Sequence, residues 1–245
     1  MDISFFIKLT KTEMTHWFFP YTCILCSEKT RREIDLCSDC EKNLPWLHQK
    51  ICIHCAAPLL LETNSICGAC LKNPLPFYKT CILFSYTHAI KKLIIGLKFQ
   101  QRLLYANILG SLLMEKVEQL YQKEDLPPLI IPVPLYKKRL RERGFNQAIE
   151  IARPINKKLN IPIDYKSCSR IRNTVAQSTL PANQRATNVK NAFAIQRSLS
   201  SQHIALLDDV MTTGHTLIEL SRALYDAGVK RIDVWCCART YLGSF

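Results

Sequence analysis

The residues with the clearest chemical potential lie in one short run, where two adjacent carboxylates precede a turn of threonines and glycine. Backbone N–H groups of a turn that leads into a helix bind anions, and threonine hydroxyls add further donors. Carboxylates would repel the same anion, so they suit the vicinal hydroxyls of a ribose or a Mg²⁺ ion. The run therefore predicts a ribose 5-phosphate site, although an acidic turn before a helix cap would fit any α/β protein. Its sequence is Ile204-Ala-Leu-Leu-Asp208-Asp209-Val-Met-Thr212-Thr213-Gly214-His215-Thr216.

The elements around this run place its side chains at the end of a sheet. His203 to Val210 predicts a buried strand, because its apolar residues are continuous rather than alternating. Both carboxylates then lie at the carboxyl end of the strand, where open α/β sheets bind ligands. A helix is predicted to begin at Thr216, with Glu219 completing a capping box, and Val229 to Cys237 predicts the next strand.

Further segments complete the prediction of an α/β fold. The predicted strands are Cys81 to Tyr86, Leu129 to Pro134 and Ile161 to Lys166. The predicted helices are Ala89 to Phe99, with Lys91, Lys92 and Lys98 exposed, and Leu103 to Gln122. The polar segment from Arg170 to Phe193 has no clear period, so it predicts a mobile cover over the site, with an ordinary surface loop as the alternative.

A second cluster of charge follows the predicted strand that ends at Pro134. Dense positive charge directly after a strand end predicts a second anion site, which would suit a pyrophosphate. A solvated basic helix start and a nucleic-acid contact are the alternatives. The candidate residues are Lys137, Lys138, Arg139, Arg141 and Arg143, supported by Arg170 and Arg172.

Eight of the twelve cysteines form four CxxC pairs, which predict metal binding. Two CxxC turns complete one tetrahedral Zn²⁺ site, so the array would hold two structural zincs. Consecutive pairing is favoured and cross-braced pairing is the alternative. Thiolates on metal, without a convincing signal peptide or an apolar run long enough to span a membrane, indicate a reducing cytoplasm rather than a disulfide-rich secreted protein. The ligands would be Cys23, Cys26, Cys37, Cys40, Cys52, Cys55, Cys67 and Cys70.

The length and charge of the chain bound its organisation and its ligands. A chain of 245 residues can hold one α/β domain and a smaller module, and the cysteines place that module at residues 17–76 and the larger domain at 77–245. The formal net charge is +13, which favours nucleic acid or phosphorylated ligands, although an uncommitted basic surface would have the same charge.

Together these motifs resemble the ComF family of competence proteins, similar to the ComFC/GntX group, over nearly the whole chain after residue 16. The run at Asp208 resembles the phosphoribosyl pyrophosphate (PRPP) loop of type I phosphoribosyltransferases. The resemblance implies a type I phosphoribosyltransferase-like parallel sheet flanked by helices, with a small N-terminal zinc-ribbon module. The other matching motifs are the paired cysteines, Leu97-Lys98-Phe99, Pro132-Val-Pro134, Arg143-Gly-Phe-Asn-Gln147 and the segment Arg170 to Phe193.

The resemblance also implies roles for residues and for the protein. Asp208 and Asp209 would hold the ribose hydroxyls or Mg²⁺, and Thr212 to Thr216 would cradle the 5-phosphate of PRPP. The protein would act in the cytoplasm during natural transformation, handling incoming single-stranded DNA beside a helicase-like partner. An active PRPP-dependent phosphoribosyltransferase with an unidentified acceptor is the alternative, and no general base is marked in the sequence.

Three positions depart from the family pattern. His215 replaces a small residue after the loop glycine, whereas Gln101 and Asn191 stand where relatives often have glycine. Asparagine tolerates the left-handed backbone region better than most side chains. We therefore expect the backbone geometry to survive, whereas His215 would crowd the phosphate pocket or add a titratable donor to it.

Overall fold

The computed structural model describes residues 21–30, 32–47, 50–59, 65–122, 125–173, 189–199 and 201–240. The chain divides into two compact units, Met1–Leu44 and Pro45–Phe245. This division falls between the two halves of the cysteine array, so the second half belongs to the larger unit. The boundary at residue 76 therefore stays a proposal based on motifs alone. Within the described ranges, no helix has the length and apolar character needed to cross a membrane.

The smaller unit is built around the first two CxxC pairs. Thr22 and Lys29 form an antiparallel bridge that closes the first cysteine turn. Helix α1 (Ser38–Lys42) begins after Cys37, whose sulfur accepts a hydrogen bond from the Cys40 backbone N–H at 3.4 Å. The buried apolar side chains of its described part, apart from cysteine, are Ile34, Leu36 and Leu44. So small a core requires another source of folding energy, which metal binding would supply.

The larger unit contains six helices and six strands among the described residues. Its helices are α2 (Gly68–Lys72), α3 (His88–Gln100), α4 (Leu103–Leu120), α5 (Lys137–Arg143), α6 (Gln147–Leu159) and α7 (His215–Asp226). Its strands are β1 (Lys79–Ser85), β2 (Ile130–Pro132), β3 (Cys168–Arg170), β4 (Phe193–Ile195), β5 (His203–Met211) and β6 (Arg231–Arg239).

A four-stranded parallel sheet forms the centre of this unit, in the order β1-β6-β5-β2. The apolar run of β5 is fully buried from Ile204 to Leu207, as expected for a strand covered on both faces. The predicted architecture, a phosphoribosyltransferase-like parallel sheet flanked by helices with an N-terminal cysteine-rich module, is confirmed.

The flanking helices pack closely because of one small residue. Gly110 of α4 lies against α6, where an added Cβ would overlap the carbonyl oxygen of Ile151 and press on Pro154. The buried side of α6 carries Ala148, Ile151, Ala152 and Ile155. The absence of a side chain at Gly110 therefore lets α4 and α6 approach closely.

The predicted strand from Ile161 to Lys166 is wrong. Only Ile163 forms a bridge, to Ile130 of β2. The carboxylate of Asp164 accepts hydrogen bonds from the backbone N–H groups of Lys166 and Ser167, both at 2.9 Å, and turns the chain away from the sheet. A local side-chain contact of this kind competes with strand pairing.

A second, two-stranded sheet pairs β3 with β4 in antiparallel register, with Arg170 opposite Phe193. The sequence pattern did not predict this pair. Most of the segment predicted as a mobile cover, residues 174–188, lies outside the described residues.

Candidate functional site

A cavity of about 750 Å³ opens at the carboxyl end of β5. Ligands bind at this end of an open parallel sheet, and the volume lies within the usual range for a small-molecule site. Residues of both predicted anion sites, the one for ribose 5-phosphate and the one for pyrophosphate, contribute to the wall of this cavity. The predicted residues that line it are Arg139, Arg143, Arg170, Asp208, Asp209, Thr212, Gly214, His215 and Thr216.

The loop after β5 is shaped by a glycine in the left-handed region. Gly214 has φ of 81°, and a Cβ there would lie 2.9 Å from Met211 Cε. Arg239 donates to the carbonyl groups of Met211 and Thr212, and the Thr240 N–H donates to Met211 O at 3.0 Å. The loop is therefore held from β6, with its turn directed into the cavity.

Helix α7 begins at His215 rather than at the predicted Thr216. Gly214 is its N-cap, and the helix has no side-chain cap. The predicted capping box is wrong, because Glu219 instead accepts a hydrogen bond from the Asn191 backbone N–H at 2.6 Å. Thr213 turns to His215, with 2.8 Å between Oγ1 and Nδ1. Gly214, His215, Thr216 and Leu217 line the cavity, so the N-terminus of α7, which favours anions, lies in its wall.

The two carboxylates at the end of β5 have opposite electrostatic environments. Burial and the adjacent Asp209 raise the pKa of Asp208 well above its ordinary value. Burial also raises the pKa of Asp209, but the Lys98 ammonium and hydrogen bonds from Asp208, Lys98 and Gln147 outweigh it and hold that pKa below its ordinary value. As pH falls, Asp208, which is half-buried, therefore takes up a proton before Asp209 does.

A chain of contacts connects the second anion site to Asp209. Gln147 Nε2 donates to Asp209 Oδ1 at 3.2 Å, and Arg143 donates to Gln147 Oε1. Asn146 holds the start of α6: its Oδ1 accepts from Ala148 N at 2.9 Å, and its Nδ2 donates to the Val133 carbonyl at 3.0 Å. The residues that follow Arg143 thus act as supports for the carboxylate.

Helix α5 separates the predicted basic residues into two sets. Arg139 and Arg143, four residues apart and hence on one helical face, line the cavity. Lys137, Lys138 and Arg141 are exposed and, among the described residues, are not part of the cavity wall. One short helix therefore presents cations both to the cavity and to solvent.

Arg170 and Arg139 bring like charges together in the cavity wall. Burial and the neighbouring Arg139 lower the pKa of Arg170 to about 10. Burial, together with Arg139, also lowers the pKa of Arg143, against the opposite effect of Asp209. A bound anion between these guanidinium groups would relieve their repulsion. Arg172 does not join them, because it donates to the Lys190 carbonyl.

Lys98 and Gln147 are the two main residues of the site that the sequence did not mark as site residues. The prediction of an exposed Lys98 is wrong: its side chain is 22 % exposed and is ion-paired with Asp209. Lys98 lies on a second face of α3 that lines the cavity, together with Lys91, Ile95 and Phe99. The spacing of these four residues in the sequence was the available signal.

The two cysteine groups have the geometry of tetrahedral metal sites. Their four ligand atoms lie within 4.8 Å of one another in each group, and the pairing is consecutive, as predicted. Burial raises the pKa of Cys52, but backbone N–H groups, among them that of Cys67 at 3.3 Å, outweigh it and lower that pKa to about 7. Burial raises the pKa of Cys55 in the same group to about 11, so a bound metal would be needed to hold all four sulfurs as thiolates. The groups are Cys23, Cys26, Cys37 and Cys40, and Cys52, Cys55, Cys67 and Cys70.

His54, inside the third CxxC turn, is not one of these ligands, because its Nδ1 lies 3.2 Å from the carbonyl oxygen of Phe77. The donor sets fit structural zinc, which would supply folding energy to each ribbon. In the second group, Ile53 O accepts hydrogen bonds from Thr80 N at 2.7 Å and Thr80 Oγ1 at 3.1 Å, so this ribbon is joined directly to β1.

The carboxylates at the end of β5 do not form a comparable metal site. Within the described ranges, groups of three or more metal-binding side chains are found only at the two cysteine sets. Asp209 is already paired with Lys98, and three arginines line the same cavity. These positive side chains would repel a Mg²⁺ ion that arrives alone, whereas a Mg²⁺ ion already bound to phosphates carries negative charge with it and would fit.

Comparison with known proteins shows the family of the chain. It is 36 % identical over 228 residues to "Competence protein F" of Haemophilus influenzae, and the match covers 91 % of this chain and 98 % of that protein. The chain belongs to the ComF family of competence proteins. A second ComF relative, "DNA utilization protein YhgH" of Escherichia coli K12, is 33 % identical over 229 residues, with 92 % of each chain covered.

Three further comparisons match the chain at lower identity or over a part of its length. "Competence protein ComFC" of Bacillus subtilis is 24 % identical over 225 residues, covering 84 % of this chain and 89 % of that protein. Residues 14–71 match the "Double zinc ribbon domain" family. Among solved structures, the purine phosphoribosyltransferase of Pyrococcus horikoshii has a TM-score of 0.33 and 17 % identity, covering 55 % of this chain and 72 % of that one.

Two of the three positions that we expect to depart from the family pattern have a backbone typical of glycine. Gln101, directly after α3, has φ of 54°, and Asn191 has φ of 52°. Both lie in the left-handed region, so the glycine geometry is kept with larger side chains. Gln101 also lines the cavity.

Proposed function

We propose that this protein binds PRPP, or a related ribose phosphate, in the cavity at the end of β5, and handles single-stranded DNA during natural transformation. The observation that carries the proposal is that the acidic pair, the loop at Gly214 and the arginines Arg139, Arg143 and Arg170 all line one cavity. The competence role comes from the names of two relatives, "Competence protein F" and "Competence protein ComFC", and a third relative is named for DNA utilization. It implies a cytoplasmic location and a helicase-like partner for the incoming strand.

Each part of PRPP corresponds to one part of the wall. The 5-phosphate would lie against the Thr212 to Thr216 loop, where the positive end of helix α7 and donors of the loop would bind it. The ribose hydroxyls would contact Asp208, since Asp209 is already engaged by Lys98 and Gln147. The pyrophosphate, with its Mg²⁺, would lie beside the arginines, where its charge offsets the repulsion between Arg139 and Arg170.

The DNA contact is assigned to the outward face of α5. Lys137, Lys138 and Arg141 are exposed there, next to the mouth of the cavity. Clustered cations on a protein with a net charge of +13 bind phosphate backbones without regard to sequence. A strand held there would run past the opening of the ribose-phosphate site.

The alternative function is transfer of phosphoribose to an unidentified acceptor. One observation favours it: the cavity has room beyond the acidic pair and the loop, and Glu142 lines it as a carboxylate that could accept a proton from an acceptor. Under this alternative PRPP would be consumed and pyrophosphate released.

Thermal unfolding with ligands tests the proposal. PRPP with Mg²⁺ should stabilise the protein by about 2.7 kcal/mol at about 100 times Kd, and ribose 5-phosphate should bind less tightly because it leaves the arginines empty. Absence of any shift with either ligand at millimolar concentration would contradict the proposal. Pyrophosphate release measured with a panel of acceptors decides between binding and turnover.

A further inference from the structure

Phe99 is an aromatic side chain that the fold does not use for its core. Helix α3 buries Ile90, Leu93, Ile94 and Leu97 against the rest of the unit. Phe99 lies outside this stripe and is 73 % exposed, the largest value among the exposed large apolar side chains of the described residues. It lies instead on the face of α3 that lines the cavity.

A cation lies beside the ring. The guanidinium carbon of Arg143 is 5.8 Å from the centre of the Phe99 ring, and both side chains line the cavity. Arg143 is held by its hydrogen bond to Gln147, so it is fixed relative to Asp209. The rim of the cavity thus combines an open aromatic face with a positioned guanidinium group, next to the acidic pair.

We propose that Phe99 and Arg143 form a stacking site for a nucleobase at the mouth of the ribose-phosphate cavity. The inference rests on the proposed function, because it places the base where a ribose held by Asp208 would carry it. It names the chemistry that the proposed function left open: a planar heterocycle, rather than an apolar chain or a second phosphate.

The chemistry of the rim favours a base over other ligands. An aromatic face and an arginine plane both stack on planar rings, and every nucleobase has such a face. The surrounding cations would attract a ligand that carries phosphates, which excludes a purely apolar molecule. Two sources share this chemistry: a base within single-stranded DNA that is bound on α5, and a free nucleobase that accepts phosphoribose.

The test compares Phe99→Ala with a matched control. Tyr78 is also an exposed aromatic residue with an arginine over its ring, Arg231 at 4.2 Å, but it does not belong to the described cavity wall. Fluorescence anisotropy would follow a labelled oligothymidylate and an abasic oligonucleotide of equal length. We expect Phe99→Ala to weaken oligothymidylate binding about tenfold and to leave abasic binding and the salt slope unchanged. Tyr78→Ala should match the wild type on both probes.

The second arm uses free adenine in thermal unfolding, with PRPP and Mg²⁺ present. If adenine stabilises the wild type further and Phe99→Ala loses this extra stabilisation, the ligand is a free base. If Phe99→Ala weakens only the binding of oligothymidylate, the ligand is a base of the DNA strand. The stacking site does not exist if Phe99→Ala leaves the adenine effect unchanged and also either leaves oligothymidylate binding unchanged or weakens abasic and base-bearing strands equally. PRPP should still stabilise Phe99→Ala against thermal unfolding. If PRPP does not stabilise even the wild type, the proposed function is contradicted. The oligonucleotide measurements would still decide whether the stacking site exists.

Discussion

Lys98 and Asp209 form an ion pair that joins helix α3 to the carboxyl end of strand β5. Asp209 is 2 % exposed, and Gln147 donates a further hydrogen bond to it from helix α6. The pair therefore has two roles: it neutralises a buried carboxylate, and it leaves Asp208 as the carboxyl available to a ligand.

Replacing Lys98 by methionine should lower the free energy of unfolding by about 3 kcal/mol, because it leaves the Asp209 carboxylate buried without its cation. Lys91 offers a matched control, since it lines the same cavity from the same helix but is exposed. Lys91→Met should cost about 0.5 kcal/mol or less. Urea denaturation measures both, and equal costs would show that the ion pair does not support the fold.

Asp208→Asn should make the protein more stable near neutral pH. Because the folded-state pKa of Asp208 is raised, its contribution to stability is fully present below the ordinary carboxyl pKa and is lost as pH rises through the folded pKa. Asparagine avoids that loss and keeps the acceptor for the Asp209 N–H, which lies 2.8 Å from Asp208 Oδ1. The advantage of the variant should shrink toward about pH 4.

Asp209→Asn should change the free energy of unfolding in the opposite direction from Asp208→Asn. Its folded-state pKa is lowered, so its contribution is present above the ordinary carboxyl pKa and is lost as pH falls through the folded pKa. This variant should be less stable than the wild type near neutral pH, with a difference that narrows in acid. Denaturation curves that show the same sign for both variants would contradict the assignment of the charge to Asp209.

The purified protein should contain about two zincs per chain, and Cys23→Ser and Cys52→Ser should each reduce this to about one. Only Cys52→Ser should also destabilise the parallel sheet, because its ribbon is hydrogen-bonded to Thr80 of β1. Cys81→Ala, which changes a buried cysteine outside both groups, should keep both metals. Metal analysis showing no zinc, with the paired thiols in disulfides, would disprove the zinc sites.

The two faces of α5 should have separable effects. Changing Lys137, Lys138 and Arg141 to alanine should weaken single-stranded DNA binding for every sequence and reduce the log–log salt slope by about 2, at about 0.7 per phosphate contact. PRPP stabilisation should remain. Changing Arg139 and Arg143 to alanine should instead remove most of the thermal stabilisation by PRPP and should leave the salt dependence of DNA binding almost unchanged. If both sets lower both activities alike, DNA and PRPP share one site.

The parts of the site that the sequence predicted are those determined within short stretches. The buried strand β5, the loop glycine and the cysteine spacing each depend on neighbouring residues, and each was found where the pattern placed it. The left-handed backbone at Gln101 and Asn191 is local as well, because it depends on the φ angle of a single residue.

The parts that the sequence did not predict depend on contacts between distant segments. Lys98 and Gln147 meet Asp209 only after α3, α6 and β5 are assembled, and no local pattern distinguishes Lys98 from the exposed Lys91. Glu219 was expected to cap its own helix, but it bonds to Asn191 in another segment, because tertiary packing brings that N–H closer. The division of α5 into two faces was available from the four-residue spacing of Arg139 and Arg143.

Calorimetric titration of PRPP with Mg²⁺ into the wild type, Gly214→Ala and Gly68→Ala tests the central claim, that the loop at the end of β5 holds the 5-phosphate. Gly214 has φ of 81° and a Cβ there meets Met211, so alanine should distort the loop and weaken PRPP binding about tenfold or more. Gly68 has open space and no such φ, so its variant should bind like the wild type. Saturable binding with this order of affinities is the predicted result; no heat of binding in the wild type, or equal affinity in a well-folded Gly214→Ala, would contradict the account.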